Sequence, residues 1–492
     1  MKHIAFDLGA ESGRAIVGEI SDGRLAMEEI HRFPTQGTYV NGSMRWDIYR
    51  LFAEIKKGLA AYAEKYGDET CTMGVDTWGV DYGFLDRNGK LCAIPYHYRD
   101  ERNVGTAKII EEKLGLDRLY ELTGIQQMEL NTLNQLIAAK RDDDSIFDVG
   151  QRLLFLGDIL HYFLCGSVKA EYSIATTSNM YSTITDEWQA EVLETFDLDP
   201  GVMPEVVGAG SVMGAIREDL AEEFGLSKDC QVIAPPVHDT ASAATAAPAE
   251  TDTVAFISSG TWSLVGLELA QAVANDEAKK NNIANYGSSF GKKLFIRNVM
   301  GLWLVQQARK QWLKTQPDLG YGEIVQLAEK AEPFYGFIDP NDDVFLNPAN
   351  MPYEICAYLK RTGQRALEED NVGQVARIIF ECLAFRYRMM FEMLTDTTGK
   401  TLEQINIIGG GIQNKMLTQF TADATGVRVA AGPIEATAAG NLLMQAYGTG
   451  EVKSHEELRS VVRNSFEMEY YAPMDTEQWE QAYQAFKKTC GL

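Results

Sequence analysis

Apolar and polar positions along the first thirty residues predict strands joined by tight turns. The runs HIAFD, RAIVGEI and LAMEEIHRF are separated by a Gly-rich stretch and by Asp22–Gly23. A DG pair between apolar-rich runs is a strong hairpin signal. From Asp47 to Tyr66 the apolar spacing becomes helical, with Asp47 placed to cap it. TMGVDTWGVDYGFLD and KLCAIPY, separated by Asn88–Gly89, read as a further strand pair. From about Asp100 to Cys230 the pattern is mostly helical with loops. CQVIAPPVHDTASAATAAP then runs from a β-rich stretch into a small-residue helix starting at Asp239.

After the polar, acidic break Pro248–Thr253 the opening pattern returns. VAFISSGTWSLVGLEL is again strand, Gly turn, strand, with Gly260 matching Gly9 and a shorter turn. A long amphipathic helix follows in VGQVARIIFECLAFRYRMMFEML. INIIGGGIQN is a strand entering a triple-Gly turn; a helix to Gly426, a strand and a last small-residue helix come after it. Strands alternating with helices make the chain α/β. The echo of the first hairpin divides it into two related domains, 1–245 and 246–492.

Composition narrows the function. The 492 residues are 45% hydrophobic and 23% charged, as in a globular protein with large cores, and carry a net charge of -25. That charge argues against nucleic acid or an anionic membrane as partner. An anionic substrate would need positive potential built locally, from backbone N–H groups, a few cations or a metal. The seven cysteines are scattered, with no CxxC, which reads as reduced thiols in the cytoplasm. No secretory leader is read at the N-terminus, where Asp7, Glu11 and Arg14 interrupt any apolar core. The most apolar segment, Leu153 to Gly166, is too short to span a bilayer and reads as a buried helix containing Asp158 and His161.

Three Gly turns carry the candidate chemistry. DLGAESGR and SSGTWS place glycine and small residues where strands reverse. Each is either a plain hairpin or a concavity of N–H groups for phosphate, and together they can grip one polyphosphate from two sides. Asp7 beside phosphate requires an intervening cation, and Mg²⁺ bound through water fits that place. Arg14 is either a phosphate contact or an exposed strand residue. The turn Gly409–Gly411 is a tight strand-to-helix connection or a bare surface for a flat ring. In PVHDTAS, Asp239 is either a helix N-cap or a general base, with His238 able to hydrogen-bond a hydroxylated ligand. Asp76–Asp81 and Arg297–Gln307 are further candidates for a polyol site, although Trp78 and Trp303 read more readily as core. G-x-x-x-x-G-K-[ST], a strand-linked G-x-G-x-x-G and G-x-S-x-G are all absent, which leaves P-loop, dinucleotide-binding and Ser-hydrolase readings unsupported.

The ordered set FDLGAESGR, DTWGVDYGFLD, YRD, NTLNQL, HDTASA, SSGTWSL, NVMGLWLVQ, IIGGGIQN and AGPIEATAAGN, from Ile4 to about Gln445, resembles the FGGY family of carbohydrate kinases. HDTASA and SSGTWSL draw the likeness toward the branch acting on L-rhamnulose at its 1-hydroxyl, with a kinase for another ketose such as L-fuculose or L-xylulose, or a non-catalytic actin-fold sugar or nucleotide sensor, as alternatives. The resemblance implies two actin-like, ribonuclease-H-like domains flanking an interdomain active-site cleft. It makes Asp239 the proton acceptor. Gly79, His238, Thr240 and Asn298 become sugar contacts. Ala10, Glu11, Ser12, Gly13 and Arg14 form one ATP phosphate loop, and Thr261 belongs to the other. Gln306 and Gly410 contact ATP nearer the nucleotide. The implied ligands are ATP, Mg²⁺ and a ketose, in a cytoplasmic monomer or homodimer without nucleic-acid or membrane partners. Glu11 departs from the resemblance, which more often has Ser there, so only its backbone is expected to matter.

Overall fold

The computed structural model describes residues 1–249 and 254–492, so residues 250–253 of the predicted acidic break lie outside the described residues. Two compact units emerge. The first comprises Met1–Ala246, Glu268–Phe295 and Ala436–Phe466; the second comprises Ala247–Leu267, Ile296–Glu435 and Glu467–Leu492. The chain first passes between them at Ala246–Ala247, and two later segments group with the first unit.

The sheet of the first unit contains β1 (Lys2–Leu8), β2 (Ser12–Ser21), β3 (Arg24–Pro34), β4 (Cys71–Thr77), β5 (Val212–Ala215) and β6 (Gln231–Ile233), in the order β5-β6-β4-β1-β2-β3. Strands β1 and β2 are antiparallel, while β1, β4 and β6 run parallel. Asp22 and Gly23 both have positive φ, 51° and 70°, as a type I′ hairpin turn requires. Central β1 is covered on both faces, so Ile4, Phe6 and Leu8 are fully buried. They pack in one core with Leu51, Ile55 and Leu59 of helix Ile48–Tyr66. Asp47 caps that helix by accepting Arg50 N–H at 3.0 Å.

Six strands of a seven-stranded sheet repeat this plan: β7 (Val254–Ser259), β8 (Trp262–Leu269), β9 (Lys293–Met300), β10 (Gln404–Ile408), β11 (Arg428–Ala431) and β12 (Glu469–Tyr471), in the order β9-β8-β7-β10-β11-β12. Strands β7, β10 and β11 are parallel, and β12 closes the edge antiparallel. The strand order of one unit maps onto that of the other, so the duplicated hairpins were a true sign of two related α/β folds.

Two predicted elements are corrected. KLCAIPY is no strand: Leu91 makes only an isolated bridge to Leu85. The partner of Tyr82–Leu85 is Arg152–Phe155. That pairing buries Leu153, Leu154 and Phe155 completely, whereas Ile94 stays 45% exposed and Pro95 has no N–H to give a ladder. Leu153–Gly166 is therefore a strand followed by helix Leu156–Cys165, with Asp158 and His161 fully buried. Among the described residues no helix is long and apolar enough to cross a membrane. All seven cysteines are free thiols, with Cys71 and Cys230 Sγ atoms 3.4 Å apart.

Candidate active site

In the first unit three carboxylates converge at the C-terminal ends of parallel strands. Asp7, near the end of β1, pairs in register with Arg14 on one side and Asp76 on the other. Arg14 is neither solvent-facing nor unengaged: its Nε and Nη2 donate to Asp7 Oδ2 at 3.0 and 2.7 Å. Asp76, fully buried, takes Asn441 Nδ2 on Oδ2 at 2.6 Å, while Oδ1 has no hydrogen-bond partner among the described residues. Burial first, and then the charge of Asp7, push the Asp76 carboxyl well above its usual range.

Asp239 completes the group. The helix Asp239–Thr245 begins with His238 in the cap position, so the N-cap reading of Asp239 does not hold. Its side chain keeps 31% exposure, yet burial, and next the negative charge of Asp7, raise its pKa to about 7. Thr240 donates its N–H and hydroxyl to Oδ1 at 2.5 and 3.1 Å. His238 has its pKa lowered by burial to about 4 and is neutral at pH 7. Its Nε2 lies 3.7 Å from Asp239 Oδ1, too far for a hydrogen bond. Its Nδ1 has no partner among the described residues. Thr240 is buried beside it. Gly79 lies against Thr177, whose methyl would be 3.0 Å from a Cβ placed there.

The β1–β2 turn spans Gly9 to Glu11. Gly9 N–H bonds to Ser12 O at 3.1 Å, and Glu11 O accepts Thr35 N–H at 3.2 Å. Ala10 and Ser12 are half-buried and Gly13 buried, while the Glu11 side chain is exposed. Replacing Glu11 by Ser is therefore expected to raise the KM for ATP less than about threefold, on the scale of an exposed charge; steady-state kinetics would reveal a larger rise.

In the second unit Thr261, Gln306 and Gly410 line one cavity of about 710 Å³, together with Gly260, Tyr321 and Gly411. The β7–β8 turn is one residue tighter than its counterpart, with Gly260 N–H bonded to Trp262 O at 3.0 Å. Gly411 cannot carry a side chain, because a Cβ would sit 2.0 Å from Ser259 Oγ, whereas a Cβ on Gly410 would meet nothing within 4 Å. Bare backbone thus borders the cavity, and its size suits a nucleotide. Asn298 lies in β9 and does not line it.

Trp78 is buried in the core, as its sequence context suggests, whereas Trp303 is only half-buried; both indole N–H groups are held by protein acceptors. Trp78 Nε1 donates to Asp81 at 2.8 Å and Trp303 Nε1 to Phe345 O at 3.2 Å. Sequence reading missed Asn441 and Asp76 as a pair, since 365 positions separate them. The local signal available was the pair of polar amides, Asn441 and Gln445, one turn apart in a largely apolar, small-residue helix, Ala436–Gly448. Among the described residues no cluster of three or more His, Cys, Asp or Glu side chains is arranged to hold a metal.

Residues 3–246 match the family model for the N-terminal domain of the FGGY family of carbohydrate kinases, and residues 255–449 match the one for its C-terminal domain. A rhamnulokinase of Bacteroides thetaiotaomicron is 39% identical over 483 residues, covering 98% of each chain. Those of Halalkalibacterium halodurans and Bacillus subtilis are 38% and 37% identical, covering 96% and 99% of this chain and 99% of each relative. A ligand-bound xylulose kinase from Lactobacillus acidophilus superimposes with a TM-score of 0.81 at 14% identity, covering 99% of this chain and 97% of that one. Plasmodium falciparum glycerol kinase with ADP gives 0.79 at 14% identity, with the same coverage.

Proposed function

The chain belongs to the FGGY family of carbohydrate kinases, and from that premise we propose that it transfers the γ-phosphoryl group of ATP to the 1-hydroxyl of L-rhamnulose. The product is L-rhamnulose 1-phosphate, within L-rhamnose catabolism in the cytoplasm. The observation that carries the choice of sugar is the near-full-length similarity, at 37–39% identity, to three proteins named rhamnulokinase.

In this reading Asp239 is the base. The sugar O1 attacks the γ-phosphorus, the bond to the β–γ bridging oxygen breaks, ADP leaves, and the O1 proton passes to Asp239. Thr240 occupies Oδ1, which leaves Oδ2 to receive that proton. Neutral His238, Thr240, Gly79 and Asn298 orient the ketose. Thr261, Gln306 and Gly410 hold the nucleotide, and the backbone of Ala10, Glu11, Ser12, Gly13 and Arg14 cradles phosphate oxygens. Positioning and charge stabilisation supply most of the rate in such transfers.

The residues present fit a hydrated magnesium ion better than a directly ligated one. Asp7 is engaged by Arg14, and Mg²⁺ ordinarily keeps several waters while using one or two carboxylates and phosphate oxygens. Asp7 would hold it through water; when bound, the ion neutralises phosphate charge.

Initial rates with L-rhamnulose, L-fuculose and L-xylulose, ATP and Mg²⁺ test the assignment. L-Rhamnulose is expected to have the highest kcat/KM, by roughly tenfold or more, the discrimination that one hydrogen-bonded or apolar contact supplies. A higher value for another ketose would reassign the substrate. The pH profile adds a second check. A base works only when deprotonated, and the Asp239 pKa is pushed up to about 7. Its protonation should therefore make kcat/KM fall about tenfold per unit as pH drops below that value. A profile flat down to pH ~5 would remove Asp239 from the role, since an unshifted Asp titrates near 4.

A further inference from the structure

A glutamate caps the short helix Tyr172–Thr176 in the first unit, and the local cap alone does not account for its burial. N-caps are normally Ser, Thr, Asp or Asn, and a carboxylate without a cation in the interior is costly. Glu171 is nevertheless fully buried. All the hydrogen bonds of its side chain fall on one oxygen, Oε2, while Oε1 has no partner among the described residues.

Three of the donors are local, the weakest being Ile174 N–H at 3.4 Å. Ser173 N–H lies 2.9 Å away, and the Ser173 hydroxyl donates to the same oxygen. A fourth comes from far along the chain: Val237 N–H reaches Oε2 at 2.9 Å. Ser173 Oγ in turn accepts His238 N–H at 3.0 Å. The two consecutive amides preceding Asp239 thus end on Glu171 and Ser173. On the opposite side Val237 O accepts Thr77 N–H at 2.8 Å, and Gly157 leaves room that a Cβ, 2.4 Å from Val237 Cγ1, would remove.

The far end of the same helix grips a second loop. Thr177 Oγ1 accepts Val80 N–H at 2.9 Å. Val80 has a φ of 71°, a genuine outlier for a β-branched residue. Its carbonyl takes Thr132 Oγ1 at 2.6 Å and Gln135 Nε2 at 3.2 Å. Backbone held in such a conformation persists only where its surroundings enforce it. One five-residue helix therefore buckles the Gly79–Val80 turn to the strand end that carries Asp239.

We propose that Glu171, acting with Ser173, is a positioning residue for phosphoryl transfer: it fixes the Val237–His238 backbone and thereby the place of the Asp239 carboxylate relative to the sugar. The proposal rests on the reading of Asp239 as the base.

Replacing the acceptor tests it. Glu171→Gln keeps an oxygen for the amides and should rescue kcat to within about threefold of wild type. Glu171→Leu removes the acceptor and should lower kcat roughly 10²-fold, the cost of a misplacement near 1 Å. The KM for ATP should stay within about threefold, because the nucleotide cavity lies in the other unit. Ser173→Ala removes the His238 acceptor and, with it, the hydroxyl donated to Glu171 Oε2, while leaving the Val237–Glu171 hydrogen bond in place. It should lower kcat about tenfold, with amide exchange at His238 accelerated by a similar factor, the loss expected of one hydrogen bond. A folded Glu171→Leu protein with wild-type kcat would overturn the proposal, as would Glu171→Gln losing as much as Glu171→Leu. If Glu171→Leu does not fold, Ser173→Ala decides: unchanged kcat and exchange overturn it. Asp239→Asn run in parallel separates the two readings. Full turnover there removes the base assignment and the positioning role with it. An inactive Asp239→Asn beside fully active Glu171→Leu and Ser173→Ala removes the positioning role alone.

Discussion

Asp239→Asn is expected to lower kcat by roughly 10²–10⁴-fold, the span covered by loss of a general base, while the KM for ATP changes little. The amide keeps the shape and the Thr240 hydrogen bonds at Oδ1 but cannot take a proton from the sugar. The residues lining the nucleotide cavity belong to the second unit, so ATP binding has no reason to follow kcat. The same substitution has a stability signature that a passive carboxylate would lack. In the fold the Asp239 pKa is raised to about 7, against about 4 in the unfolded chain. A group raised in this way contributes stability that is fully present below the unfolded pKa and is lost as pH rises through the folded one. Asn carries no charge at any pH. The variant should therefore melt at or above the wild-type temperature at pH 8, with the difference shrinking or reversing by pH 5. Thermal melts at the two pH values, set beside initial rates, read both effects. Near-normal turnover would take the base assignment away from Asp239.

How much of this was legible from the chain depends on how far apart the interacting residues lie. The Asp22–Gly23 hairpin, the Asp47-capped helix and the strand into Gly409–Gly411 rest on residues within a turn of one another, and they were read correctly. Asp239 could be singled out locally, but its chemistry could not. The raised pKa comes from burial and from Asp7, 232 positions earlier in the chain. KLCAIPY failed because alternation and a good NG turn compete with a better partner, Arg152–Phe155, that buries three large apolar side chains. Glu171 was invisible as a site residue for the same reason: its cap is local, but its grip on Val237 spans 66 positions. Pattern reports what each segment can bury; it does not report which distant segment will be there to receive it.

Gly440→Ala should cost both stability and activity, although alanine is normally the better helix former by about 1 kcal/mol. Helix Ala436–Gly448 crosses helix Asp239–Thr245 at Gly440, so closely that a Cβ there would lie 1.9 Å from Ser242 O and 2.7 Å from its carbonyl carbon. The obstacle is backbone, which cannot rotate away as a side-chain tip could. Ser242 Oγ also donates to Thr437 O at 2.8 Å, tying the helices at that point. Relief requires the two helices to part by roughly 1 Å, and overpacking of this kind costs about 1–3 kcal/mol. At about 2–4 °C per kcal/mol for a domain of this size, Tm should fall by several degrees despite the propensity gain. Activity should fall with it, because each helix carries part of the carboxylate group. One begins at Asp239. The other presents Asn441 to Asp76 and braces it through Gln445, whose Nε2 donates to Asn441 Oδ1 at 2.6 Å and to Ile4 O at 2.9 Å. A shift near 1 Å there is expected to cost 10- to 100-fold in kcat, with the KM for ATP preserved. Gly208→Ala serves as the control, since a Cβ at that position meets nothing within 4 Å and should leave Tm and kcat unchanged. If Gly440→Ala matches that control in both measurements, the crossing is looser than described and does not set the position of Asp239. If Tm falls while kcat holds, the crossing contributes to stability alone, and the alignment of the carboxylates must come from the strand ends and the Glu171 buckle.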